Sequence, residues 1–269
     1  MIYVCKPTKI SIYINSSWKT PDAIRKETGC DVVINGGLYD MKTYKPMCWL
    51  KKDGQLLASD KWGYWGYGWN DSRLVMDSTA NIGKYRNYIC CVALLRNGNP
   101  ETLYYDPALG GKRGRTAIGV RANGDVVVCC AHDGSAYSMT PEQTQNEMKN
   151  CGCVSAIMLD GGGSSQCVTP AGSIVSPRIV QNLICIWTGE IKETIVDCPF
   201  PEPTFNVRRG SIGKGAKWVQ WNLNRYGADL TVDGIFGRKS AAALQVFQAQ
   251  HGLAADGICG KLTREALRK

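Results

Sequence analysis

The chain has 269 residues, 44% of them hydrophobic and 20% charged, which is the composition of a globular protein and excludes a disordered or fibrous one. No apolar run approaches the roughly 18 residues needed to cross a bilayer, so no membrane span is expected. Residues 205–269 hold 11 Lys/Arg against 4 Asp/Glu, which is +7 of the net +9. A basic end suits an anionic partner such as wall polymer, nucleic acid or membrane surface, and charge alone does not choose among them.

In chain order, Met1 to Trp18 alternates polar and apolar residues like a strand. It lacks the charged start, continuous apolar stretch and cleavage site of a signal peptide. Synthesis in the cytoplasm is therefore expected, with any wall target reached by a route such as cell lysis. Asp31 to Asn35 reads as a short buried strand running into Gly36 and Gly37, leaving a polar side chain and two glycines at a strand end. Residues 62–69 interleave Trp62, Tyr64, Trp65, Tyr67 and Trp69 with glycines. So many aromatics are hard to bury from one short segment, which favours a sugar-facing lid over a core hairpin.

Arg115 ends the basic loop that begins at Gly111, and its planar fork suits a phosphate held at two points. Lys112 and Arg113 read as solvated loop charges. Thr116–Val120 and Asp125–Cys130 flank a tight turn and form a hairpin. Thr140-Pro141-Glu142 opens a helix that ends near Cys151-Gly152. The apolar strand Val154–Leu159 follows and leads into Asp160-Gly161-Gly162-Gly163-Ser164-Ser165. Helix, strand, acid and glycines is an α/β order, with chemistry at the strand's carboxyl end. Consecutive glycines let backbone N–H groups approach an anion, and Ser164 and Ser165 add hydroxyl donors. Asp160 is a fixed carboxylate, fit for acid, base, nucleophile or metal-ligand work. Arg178 and Asn182 precede the strand Leu183–Trp187 and form a second candidate anion pair.

The 13 cysteines are odd in number, and two adjacent pairs, Cys90-Cys91 and Cys129-Cys130, lie in strand-like runs. Neighbours on a strand point to opposite faces. Cys151 and Cys153 lack both zinc-knuckle spacing and a second pair. Reduced, mostly buried thiols are expected.

Pro199, Pro201 and Pro203 mark a stiff linker over residues 198–205, which divides the chain into 1–197 and 206–269. Beyond it, Asp233–Leu244 repeats as Asp256–Leu267. Each copy gives an Asp-Gly turn, an apolar plug (Ile235, Ile258), a second glycine and a helix start near Ser240 or Thr263. Ala243, Leu244, Phe247 and Gln248 keep the spacing of one helix face. Trp218 to Leu223 suggests another helix, ended at Tyr226-Gly227. From about Arg208 to Leu267 this three-helix unit resembles the peptidoglycan-binding domain found at the ends of many wall hydrolases. Cys259 stands where that domain more usually has an aromatic or aliphatic residue.

Residues 30–190 carry a second resemblance. Asn35-Gly36-Gly37-x-Tyr39, Arg115-Thr-Ala-Ile-Gly119, Leu159-Asp-Gly-Gly-Gly-Ser-Ser165 and Arg178…Asn182 stand in the order seen in the phosphodiester glycosidase family. His132-Asp133-Gly134 falls at that family's acidic-glycine-arginine turn, with Ser135 in place of the basic residue. The resemblance implies an α/β (mixed α+β) catalytic domain with a central β-sheet, followed by the all-α module. It also implies hydrolysis of an α-linked sugar from a phosphate in a bacterial surface glycopolymer, as in a phage or bacterial lytic enzyme. Asp160 and Asp133 are the expected catalytic carboxylates. Asn35, Gly36, Gly37, Arg115, Gly161, Gly162, Gly163, Ser164, Ser165, Arg178 and Asn182 are the expected substrate contacts. No cofactor is expected to be required, and a divalent cation stays open. Expected partners are the cell wall, through peptidoglycan or an anionic polymer, and small sugar phosphates, but not nucleic acid. Two alternatives are a non-catalytic sugar-phosphate binder and a conventional peptidoglycan hydrolase. The latter fits poorly, because His132 and His251 are the chain's two histidines.

Overall fold

The computed structural model describes residues 1–59, 65–189, 198, 200–226, 228 and 230–268. It divides into two compact units, Met1–Val196 and Asp197–Lys269. Among the described residues, no helix is long and apolar enough to cross a membrane.

The first unit is mixed α+β and holds three sheets of six, five and five strands. The six-stranded sheet runs in the order Ile2–Cys5, Val126–Ala131, Arg115–Arg121, Cys153–Met158, Val92–Arg96, Asn99–Pro100. The expected hairpin is there, with Ala117 opposite Cys129 and Val120 opposite Val126. The second sheet is ordered Gly172–Ile174, Cys167–Thr169, Val32–Asn35, Asn182–Thr188, Pro7–Ile14. The third joins Gln55–Ala58, Leu50–Lys52, Asn87–Cys90, Trp65–Trp69 and Val75–Ser78. Every ladder among these strands is antiparallel. The first unit is thus the expected mixed α+β domain, with its β-structure divided among three antiparallel sheets.

The three sheets share one core. Tyr3, Ile12, Val32, Ile34, Tyr67, Trp69, Ile89, Ile118, Val128, Ile157 and Ile184 meet in it. This corrects the aromatic lid: Tyr67 and Trp69 are 0% and 1% exposed. Trp69 Nε1 donates to Ile10 O at 2.9 Å, and the Tyr67 hydroxyl pairs with Ser155 Oγ at 2.8 Å. Burying such rings stabilises by several kcal/mol only when their polar tips find partners, as here. Trp65 is partly buried, and the Arg96 guanidinium lies 4.2 Å from its ring centre. Trp62 and Tyr64 lie outside the described residues. The cysteines are free thiols, buried except for the half-buried Cys198.

Two helices cover sheet faces. Pro141–Asn150 begins with a capping box between Thr140 and Gln143, and its Met148 packs against Leu94, Ala117 and Ala156. Pro21–Thr28 is capped by Thr20 and ended by Gly29 at φ +66°, and its Ile24 packs on Val33, Leu183 and Cys185.

The second unit has helices Lys214–Arg225, Arg238–Gln250 and Lys261–Leu267. Its two repeats are locked by matching buried glutamines. Gln220 Oε1 accepts from Gly234 N at 2.9 Å while Nε2 donates to Asp233 Oδ1, Ile235 O and Ser240 Oγ. Gln248 repeats this with Gly257 N, Asp256 Oδ1, Ile258 O and Thr263 Oγ1. Ser240 and Thr263 are thus the third residues of helices that begin at Arg238 and Lys261, where their hydroxyls partner the glutamines. The plugs are Phe236 and Cys259, both 0% exposed, whereas Ile235 is 57% exposed. Described residues of the proline segment contact the module. Phe200 packs against its core, and Glu202 pairs with Arg264 and Arg268.

Candidate active site

Asp160 follows the strand Cys153–Met158, and the sheet ends hold it from two sides. Its N–H donates to Gly36 O at 3.0 Å, and Asn35 Nδ2 donates to its carbonyl at 2.8 Å. The Asn35 Oδ1 accepts from Thr116 Oγ1 at 2.6 Å and Gln166 N at 3.1 Å. Asn182 Oδ1 accepts from Gly37 N at 2.9 Å, and its Nδ2 donates to Gly37 O and Gln181 Oε1. A Cβ on Gly36 would stand 1.9 Å from Asn182 Oδ1. Asn35, Gly36, Gly37 and Asn182, expected as substrate contacts, brace the strand ends beside Asp160 through these bonds. Both amides are buried and already engaged, because a buried amide left unpaired costs about 1–3 kcal/mol.

The glycine loop is closed by its own backbone bonds. Gly161 N donates to Asp160 Oδ1 at 2.9 Å, and Gly162 N donates to Gly114 O at 2.8 Å. Ser164 N and Ser165 N donate to Gly161 O and Gly162 O. These four amides hold the turn itself. Gly163 has a different use: a Cβ there would lie 3.0 Å from Arg178 Nη2. The bare backbone lets the guanidinium lie flat against the loop. Arg178 Nη1 then donates to the buried Ser164 Oγ at 3.1 Å. The buried Ser165 hydroxyl has no partner among the described residues.

Arg115 is 3% exposed. Its Nε donates to Met139 O, and its Nη2 donates to Leu109 O and Gly111 O, each at 2.9 Å. Burial, with the neighbouring Arg113 charge, lowers its pKa. Nε and Nη2 of the expected phosphate fork are thus held by the loop that Arg115 closes. Only Nη1 faces Gly161, 3.3 Å from where a Cβ would stand.

Two carboxylates border the loop. Asp133 Oδ1 accepts from Gly114 N at 2.7 Å, and Oδ2 looks toward Gly162, 3.9 Å from that residue's missing Cβ position. Ser135, in the place of a basic residue, donates to His132 O at 2.8 Å and shapes the turn. Burial pushes the Asp160 carboxyl from 3.8 up to about 6, although Ser164, the Gly161 amide and Arg178 all pull it down. Such a group holds and releases a proton near neutrality, as acid–base catalysis needs. Tyr39 completes the site and was not among the expected contacts, although it stands in the Asn-Gly-Gly-x-Tyr block. Its hydroxyl donates to Ile179 O at 3.1 Å and lies beside Ser164. Among the described residues, no group of three or more His, Cys, Asp or Glu is placed to hold a metal ion.

A family model described as phosphodiester glycosidase matches residues 28–187, and one described as putative peptidoglycan binding domain matches residues 213–267. The catalytic domain of zebrafish N-acetylglucosamine-1-phosphodiester alpha-N-acetylglucosaminidase, auto-inhibited by its pro-peptide, shares the fold. It has a TM-score of 0.53 at 19% identity, over 66% of this chain and 73% of that one. A hypothetical protein from Synechocystis aligns with a TM-score of 0.58 at 11% identity, over 69% of this chain and 58% of that one. A zinc D-Ala-D-Ala carboxypeptidase of Streptomyces albus G is 46% identical over 60 residues, 21% of this chain. The chain spans about a quarter of that relative's length, 24%.

Proposed function

The chain belongs to the phosphodiester glycosidase family and carries a peptidoglycan-binding domain, and from that premise we propose that it hydrolyses sugar 1-phosphate linkages in a bacterial surface glycopolymer. The observation that carries this reading is the Asp160 carboxyl, raised to about 6 between Ser164 and the Gly161 amide with Arg178 beside it. A phosphate leaves an anomeric carbon without full protonation, so the site must mainly meet its negative charge and stabilise an oxocarbenium-like sugar. Arg178, laid flat along Gly163, is the cation best placed for the phosphate. Asp160 faces the sugar's developing positive charge and exchanges a proton with water. Asp133 supplies a second carboxylate from the other side of the loop. The module concentrates the enzyme on its substrate, and lysis of a cell would bring the two together.

The test is incubation with purified bacterial walls, with released products identified by mass spectrometry. Free sugars and exposed phosphates are expected, absent with Asp160→Asn. Release of peptides or muropeptides alone would replace this reading with a conventional wall hydrolase. Tight binding without release would make the protein a sugar-phosphate binder.

A further inference from the structure

Three aromatic rings lead from beside Asp160 to the surface. Tyr39 sits innermost, 6% exposed, with its hydroxyl beside Ser164. Its ring centre lies 5.5 Å from that of Tyr44, and Tyr44 lies 4.4 Å from Trp18. Trp18 is 57% exposed. Tyr44 and Trp18 come from separate turns, one after each of two strands, Val32–Asn35 and Pro7–Ile14. The register places Ile14 opposite Asn182 and Asn35 opposite Leu183, so both turns rise from the sheet end that carries the site.

Each turn is built to hold its ring. The buried Asn15 donates to Lys19 O and Val180 O and accepts from Lys19 N, which clamps the turn around Trp18. Asp40 Oδ1 accepts from Lys42 N and Thr43 N, and Tyr44 N donates to Asp40 O. Trp18 and Tyr44 both have left-handed backbones, with φ of +57° and +56°. Bulky residues rarely adopt that conformation, and where they do the strain commonly serves a site. Core burial does not account for Trp18, which is absent from the cluster that takes in Tyr39 and Tyr44. It also precedes the residues matched to the family, which begin at 28.

We propose that Trp18 and Tyr44 form a carbohydrate-stacking subsite that receives the pyranose ring next along the polymer from the sugar at Asp160. The apolar C–H face of a pyranose packs on an aromatic ring while its hydroxyls stay solvated at the rim. Lys42 and Lys45, exposed on either side of Tyr44, add positive charge suited to a polymer of phosphates. The inference rests on the proposed function for which sugar fills the inner pocket, while the stacking itself is measured without turnover.

The experiment titrates the full chain calorimetrically with chitotriose, a soluble N-acetylglucosamine trimer. Trp18→Ala and Tyr44→Ala are expected to weaken binding roughly five- to tenfold each. Trp18→Phe and Tyr44→Phe should stay within about twofold of the unaltered protein, since the stacking face survives. Thermal unfolding of each variant separates loss of the subsite from loss of the fold. Unaltered protein that does not bind the trimer, or folded alanine variants that bind it equally well, would overturn the subsite. Trimer binding that depends on Trp18 in a protein releasing no sugar from walls would retain the subsite and sink the hydrolase reading instead.

Discussion

Replacing Asp160 by asparagine should stabilise the protein while abolishing its activity. The Asp160 carboxyl titrates near 6, against 3.8 for an ordinary aspartate, because burial penalises its charged form. A group whose folded pKa is raised supports folding fully below the unfolded value and loses that support as pH climbs through the folded one. The window is therefore about pH 4 to 6. At about 1.36 kcal/mol per pH unit, the ionised carboxylate costs about 3 kcal/mol by pH 8, an upper bound because the site keeps some solvent access. Asparagine carries no charge and still accepts from the Gly161 amide. Asp160→Asn should thus exceed the original protein by roughly 1–3 kcal/mol at pH 8, or about 2–10 °C in melting temperature. The two should converge at pH 4. Melting curves at pH 4, 6 and 8 measure this, with turnover on a soluble sugar phosphodiester beside them. A stability gap that is the same at pH 4 and pH 8 would refute the raised carboxyl. Near-original turnover would remove Asp160 from the chemistry.

Arg115→Ala should cost about 2–4 kcal/mol, because three backbone carbonyls lose a charged donor, and should slow phosphodiester and phosphate-free aryl glycoside substrates alike. Selective loss on the phosphodiester alone would restore Arg115 as a phosphate clamp. Gln248→Leu leaves the Gly257 N–H and the Ile258 carbonyl without their partner. It should destabilise the module by about 2–4 kcal/mol, seen as an earlier transition in calorimetry; an unshifted melt would show that the glutamine latch does not hold the repeat. Severing the chain between Gly189 and Cys198 should leave turnover on soluble sugar phosphates within about twofold. Activity on insoluble walls should drop at least about tenfold through lost tethering. Loss of soluble turnover in a folded first unit would mean that the module helps build the site.

Local chemistry made some of this legible in the sequence. Thr140-Pro141-Glu142-Gln143 carries both halves of a capping box, so the helix Pro141–Asn150 could be read directly. The same signals, Thr20-Pro21 and Gly29, mark Pro21–Thr28, but a helix of eight residues stands out little beside strong strands. The place of Asp160 at a strand's end was readable from the apolar run that leads into an acid and glycines. The bracing bonds of Asn35 and Asn182 were not, since residue type at a strand end does not reveal which way an amide points. Tyr67 and Trp69 misled because their burial depends on three sheets sharing one core, a tertiary fact with no local signature. Gln248 kept the apolar spacing of its helix, which concealed a polar latch.

The clasp at Glu202 has a use beyond holding the module shut. Arg268 grips both carboxylate oxygens, with Nε 2.8 Å from Oε2 and Nη2 2.6 Å from Oε1, and Arg264 Nη1 donates to Phe205 O at 3.1 Å. The entering and leaving chains of this unit therefore meet side by side. Units whose ends adjoin can be spliced into a surface loop of an unrelated host without stretching either partner. Grafting the module into a loop, instead of fusing it at a terminus, would then leave both ends of the host free.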